Sequence, residues 1–193
     1  MPILPAEPDL YPPELWDVYT TDWGAERRWW CLHTRPRMEK AVARELRLQQ
    51  APFYLPQVTN ESRTPQGRKI RSVLPLFPSY LFLFGNEKER LLALKGNRLV
   101  RVLEVADQSS LSHDLNQIHR MLASGLAVVP EPTMPVGAQV RILTGPLTGI
   151  VGRVIRRGKN DQFVAVVHFL GCGATVNLED WQVEQVPDEE SAE

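Results

Sequence analysis

The sequence predicts a two-part α+β protein, in which a mostly antiparallel sheet flanked by helices is followed by a small five-stranded β-barrel. Three observations carry this. Proline clusters divide the chain into two compact stretches, the first mixes apolar strand runs with helical spacing, and the second consists of short β-branched runs separated by turn residues. At 193 residues, 43% hydrophobic and 23% charged, the chain has enough apolar surface for one ordinary core or two small ones.

Pro2, Pro5, Pro8, Pro12 and Pro13 crowd the first thirteen residues, where fixed φ and missing N–H groups oppose both helix and sheet. Residues 1–26 are therefore expected to be a disordered acidic tail. Pro130, Pro132 and Pro135 make VVPEPTMPVG a semi-rigid linker over 127–135. The compact units are then 27–126 and 136–187, with a second acidic tail at 188–193. No internal repeat is present.

The first unit opens on WWCLH, short and aromatic-rich, which suits a buried strand. A helix follows, with Pro36 in its first turn and Met38, Ala41, Val42 and Leu46 at i, i+3, i+4 and i+8 on one face. Arg37, Lys40, Arg44 and Arg47 gather into a basic stripe beside that face. After APFYLP, the polar run TNESRTPQGRKIRS reads as a long loop. In VLPLFPSYLFLF, Tyr80, Phe82 and Phe84 alternate with Leu81 and Leu83, which predicts a central strand covered on both faces. RLVRVLEV is a further strand, and Leu111, Leu115, Ile118 and Leu122 mark a closing helix.

In the second unit, QVRIL, IVGRVIRR, QFVAVVHFL, ATVNLE and WQVEQV are the five strands of the barrel. Gly145, Gly149 and Gly152 permit positive φ at the first turn and close backbone approach at a corner. A barrel of this size has no room for a deep pocket, which argues against an enzyme site there.

The net charge of −1 hides an asymmetry: residues 1–26 carry −6, residues 27–126 carry +9, and residues 127–193 carry −4. A basic module between acidic ends is a hint of contact with nucleic acid, though a solvated surface gives the same pattern. No apolar run approaches the ~18 residues of a membrane helix, and the N-terminus lacks a signal-peptide pattern, so a cytoplasmic protein with no membrane partner is expected. Cys31 and Cys172 are isolated and expected to be reduced thiols. Ser112-His113-Asp114 cannot form a catalytic line, because consecutive helical residues point ~100° apart; Ser at a helix start and Asp in a first turn explain them. His33, His113, His119 and His168 show no metal-ligand spacing with the cysteines. No catalytic residue, metal or cofactor is expected.

Three blocks resemble the NusG family of transcription elongation factors. They are Trp29-Trp30-Cys31-Leu32-His33-Thr34 followed by Glu39 and Val42; Pro75-Leu76-Phe77-Pro78-Ser79-Tyr80-Leu81-Phe82; and Val140-Arg141-Ile142 through Gly145-Pro146, Gly149 and Gly152-Arg153-Val154, which is similar to a KOW motif. The resemblance covers roughly residues 29–187. It implies a ferredoxin-like N-terminal domain (NGN) and a Src-homology-3-like KOW barrel, and a monomeric, non-enzymatic factor. Such a factor docks on the β′ clamp helices of RNA polymerase, suppresses pausing and recruits a second partner, often Rho or a small-subunit ribosomal protein, through its KOW domain. Thr34-Arg35-Pro36-Arg37 and LFPSYLFLF look closer to the specialised, antiterminating RfaH-like branch than to the housekeeping factor, which commonly has glycine where Ser79 stands. The Val, Ile and Thr content of the second unit nevertheless predicts a barrel in all states. The alternative reading is an RNA-binding or ribosome-associated KOW protein.

Under this resemblance, Trp29, Trp30, Phe77, Pro78 and Tyr80 are candidate polymerase-binding residues, an aromatic cup for a helical partner, with core packing as the other reading of the rings. Arg35, Arg37, Lys40, Arg44, Arg47, Arg68, Lys69 and Arg71 are candidates for contact with upstream or non-template DNA, a solvated face being the alternative. Phe169 and Leu170, next to glycines, and Leu147 and Ile150, near the Gly-Pro turn, are candidates for the KOW partner site.

Overall fold

The computed structural model describes residues 7–16, 26–63, 66–131, 137–157, 160–178 and 183–186. The chain divides into two compact units, Met1–Gln108 and Ser109–Glu193.

In the first unit, strands β1 (Leu10–Tyr11), β2 (Arg28–Thr34), β3 (Phe53–Tyr54), β6 (Tyr80–Gly85) and β7 (Leu99–Glu104) form an antiparallel sheet in the order β1-β3-β6-β2-β7. Strand alternation divides its side chains. Trp30, Leu32, Phe53, Leu55, Leu81 and Leu83 pack with Val42, Ala43 and Leu46 of α1 (Glu39–Leu48) and Ala93 of α2 (Glu87–Lys95). Trp29, Cys31, Tyr54, Phe82 and Phe84 take the opposite face, each fully buried. Both faces of the central strand are thus covered, as the alternation of Tyr80, Phe82 and Phe84 with Leu81 and Leu83 predicts.

Three local expectations are corrected, and one element is added. Residues 7–16 are not a loose tail: β1 pairs with β3 through Leu10↔Tyr54 and Tyr11↔Phe53, and Leu15 is fully buried. Burying these side chains supplies the apolar gain that the proline-rich composition appeared to lack. The first helix begins at Glu39 rather than Pro36, because Arg37 sits at φ 65 in the left-handed region and breaks any helical run before it; Met38 is exposed and Ala43 replaces it on the buried face. The polar run after Pro56 is no loop but a two-stranded hairpin, β4 (Gln57–Arg63) and β5 (Lys69–Pro75), in register from Gln57↔Pro75 to Arg63↔Lys69. Its largely exposed strands carry too few apolar residues to show a strand period. The short helix α2 was missed altogether, although its capping box is legible: Asn86 accepts from the Glu89 amide while Glu89 accepts from the Asn86 amide.

In the second unit, β9 (Ala138–Ile142), β10 (Val151–Arg157), β11 (Asn160–Val167), β12 (Cys172–Asn177) and β13 (Val183–Gln185) match the five expected strands. A sixth, β8 (Val129–Glu131), falls inside the expected linker, giving one antiparallel sheet in the order β13-β9-β10-β11-β12-β8. β8 is an edge strand, where Pro130 needs no ladder donor. Glu131 is buried there and accepts from the Thr175 hydroxyl at 3.3 Å. Gly145 and Gly149 have φ 89 and 84 in the β9–β10 turn. A Cβ on Gly152 would strike the Val164 carbonyl and the Phe163 ring, which is the close approach expected of it. The end of the third predicted strand is instead a 3₁₀ turn, His168–Leu170, closed by Gly171 at φ 64.

Helix α3 (Gln108–Ala123) presents Leu111, Leu115, Ile118 and Met121 as its buried apolar residues, Met121 taking the place expected of Leu122. Its polar groups meet the sheet of the second unit. Gln117 Oε1 accepts from the Val151 amide at 2.6 Å, and the Arg120 guanidinium donates to the Thr148 carbonyl at 2.6 Å. Asp114 lies in the second turn of the helix, not the first, and is buried. One of its oxygens accepts from the His168 amide at 2.9 Å and lies 3.0 Å from His168 Nδ1.

Candidate interaction surface

Pro75–Tyr80 leads into β6 through a turn whose geometry the residues dictate. The Tyr80 amide donates to the Phe77 carbonyl at 3.1 Å, with Pro78 and Ser79 between, and Ser79 has φ 68. Proline followed by a left-handed residue is the pattern of a type II turn. The Ser79 amide donates to the Glu39 carboxylate at 2.7 Å, and the Ser79 carbonyl accepts from the Thr34 amide at 2.8 Å. Glu39, itself buried, therefore fixes this turn against the start of α1. Sequence reasoning gave Glu39 no role beyond a motif position; an acid at a helix start opposite a positive-φ turn was the available signal.

The candidate rings are differently placed. Pro78 is exposed and Tyr80 half-buried, its ring stacked on His33 at 5.1 Å. Phe77 is 3% exposed and meets Phe82 edge-on at 6.4 Å, so of its two readings the structure places it in the core. Trp29 and Trp30 lie on opposite faces of β2 and cannot line one cup together. Trp30 belongs to the core beneath α1 and α2, its indole N–H donating to the Gly85 carbonyl at 3.0 Å and the Arg28 guanidinium 4.0 Å above its ring. Trp29 joins an aromatic array with Phe84 at 5.1 Å and Trp16 at 5.7 Å, while Trp16 also meets Tyr54 at 5.3 Å. Desolvation there pushes the Tyr54 hydroxyl well above its ordinary pKa, with the Asp9 charge adding to the effect.

The basic residues are only partly open. Arg35 and Arg37 are exposed, Arg35 donating to Asn97 at 3.1 Å. Lys40 donates to the Val73 carbonyl at 2.5 Å, tying the hairpin to α1. Arg68, Lys69 and Arg71 are exposed along the hairpin, with Arg71 opposite Glu61. Arg44 and Arg47, however, both pair with Glu7, at 3.2 and 2.9 Å. Two of the four cations in the open stripe expected along α1 are thus paired with one carboxylate from the segment read as a tail.

In the second unit Leu147 and Ile150 are fully buried, which corrects their placement on a partner surface: the β9–β10 turn folds them into the interior. Phe169, 37% exposed, and the half-buried Leu170 sit on the 3₁₀ turn, where an apolar partner can reach them. Neither cysteine is in a disulfide; Cys31 is buried, and burial raises the Cys172 thiol to about 11. Among the described residues no group of three or more His, Cys, Asp or Glu could hold a metal ion, and no helix is long and apolar enough to cross a membrane.

A helix-backed antiparallel sheet is followed by a second sheet of short strands, with an exposed proline turn on the first and an exposed ring on the second. Residues 27–121 match the family model described as "Transcription termination factor nusG". Residues 27–121 thus carry a domain of the NusG family of transcription factors. Comparison with curated proteins finds no match. Among solved structures the chain is similar to one titled "Domain interaction in Thermotoga maritima NusG", with 17% identity and a TM-score of 0.49 over 84% of this chain and 98% of that one.

Proposed function

We propose that this protein is a non-enzymatic elongation or antitermination factor that binds RNA polymerase at the β′ clamp helices, suppresses pausing, and recruits a second partner through its C-terminal sheet unit. The observation that carries this reading is the family match over residues 27–121, which spans four of the sheet's five strands, the proline turn and the basic helix. The exposed Pro78 and half-buried Tyr80, held by Glu39, supply a preorganised apolar contact for a helical rod. Arg35, Arg37, Lys69 and Arg71 supply cations for upstream or non-template DNA. Phe169 and Leu170 are the contact offered to the second partner, Rho or a small-subunit ribosomal protein.

The test is capture of core RNA polymerase by the tagged chain, beside Tyr80→Ala and Pro78→Ala. Wild type is expected to retain polymerase, and each variant to lose about 1 to 3 kcal/mol of affinity, as anchors at an interface centre do. A folded wild type that fails to hold polymerase removes the reading. Variants that bind as wild type move the contact elsewhere on the sheet unit.

A further inference from the structure

The segment 7–16 makes more polar and aromatic contacts than a stabilising edge strand needs, and they fall on residues of the candidate surface. The Glu7 carboxylate, 6% exposed, bridges Arg44 Nε at 3.2 Å and Arg47 Nη2 at 2.9 Å. Its carbonyl accepts from the Gln57 side chain at 3.0 Å, and the Asp9 carbonyl accepts from the Leu55 amide at 2.5 Å. Two residues on, β1 extends the sheet at β3, and Trp16 lies against Trp29 and Tyr54. The acidic lead-in to β1 thus places a carboxylate between two guanidinium groups on the basic side of α1, as a backbone phosphate would sit.

We propose that Glu7, in the segment that leads into β1, is a built-in occupant of a nucleic-acid phosphate site formed by Arg44 and Arg47, which DNA displaces. The proposal rests on the reading above that the basic face of α1 meets DNA. In the closed form only the flanking cations, such as Arg35 and Arg37, are open to phosphate. In the open form Arg44 and Arg47 join them, so the strap holds down nonspecific DNA binding by the free protein. It yields where DNA is presented at high local concentration, as beside a bound polymerase.

The experiment measures binding of a short labelled DNA duplex to the full chain and to Glu7→Gln across a salt series, by fluorescence anisotropy, with polymerase capture run on both. Removing the carboxylate's charge is expected to tighten DNA binding several-fold across the salt series, because DNA no longer displaces a bound anion, while the log–log slope stays the same, since Arg44 and Arg47 meet phosphate in both complexes. If both proteins bind DNA with the same affinity across the salt series, the strap proposal falls and DNA contact stands. If neither binds DNA while both hold polymerase, DNA contact fails and takes the strap with it. Should Glu7→Gln not fold, hydrogen exchange on the wild-type chain decides: saturating DNA is expected to deprotect the Leu55 amide and β1, and unchanged protection there overturns the proposal.

Discussion

Ser79 shows how one backbone angle ties sequence to site. It occupies the left-handed region at φ 68, where a side chain costs energy that glycine does not. Ser79→Gly is expected to raise the unfolding free energy by about 0.5 to 1 kcal/mol, with part of the gain lost to the freer unfolded chain; a denaturant midpoint that falls would contradict this. Ile150 is a second test at this scale. It is fully buried beside Leu147, so Ile150→Ala should cost about 2 to 4 kcal/mol of stability, read as a lowered thermal midpoint. A small effect would mean the site opens to solvent. Cys172 offers a third. Burial raises its thiol to about 11, which leaves about a hundredfold less thiolate at neutral pH than an ordinary cysteine has. Alkylation by iodoacetamide is expected to be correspondingly slow near pH 8 and to accelerate as pH rises toward 11; fast labelling at pH 8 would show the thiol to be open.

Elements were legible where period and burial agree. β2, β6, β11 and β12 declared themselves through apolar runs that face a core, while the largely exposed β7 and β13 showed only their β-branched residues. The β4–β5 hairpin did not declare itself, since a mostly exposed ribbon needs no apolar period and its pairing is set by backbone register alone. In α2 the apolar residues Leu91, Leu92, Ala93 and Leu94 run consecutively rather than at helical spacing, so periodicity was silent and only the Asn86–Glu89 capping box marked it. Asn86→Ala should therefore cost about 1 kcal/mol, and the loss should appear as earlier fraying of α2 in hydrogen exchange. The composition of the second unit leads to a further expectation: residues 127–193 in isolation should give a far-UV spectrum of β-structure, and a helical signature would overturn it.

Across the whole molecule the decisive quantity is where opposite charges meet. The segment sums of −6 over 1–26 and +9 over 27–126 are plain in the sequence, and they suggested two separate surfaces. Folding brings them together instead, with Glu7 on Arg44 and Arg47 and a proline-rich strand on the sheet edge. The candidate site was legible to the same degree. Pro78, Tyr80 and the basic residues could be named from their motif, but Phe77, Leu147 and Ile150 could not be told from core, because an apolar residue beside a turn reads alike whether it faces inward or out.

The sequence by itself determined the alternation that covers both faces of β6, the glycine turns of the second sheet and the resemblance to the NusG family. Those depend on local period and backbone freedom, which a chain carries in one dimension. The tertiary structure alone decided which rings stay open, that residues 129–131 pair as a strand, and that an acidic lead-in closes over a basic helix. Each of these is a long-range pairing, fixed by what lies opposite in space rather than by what lies beside it in the chain.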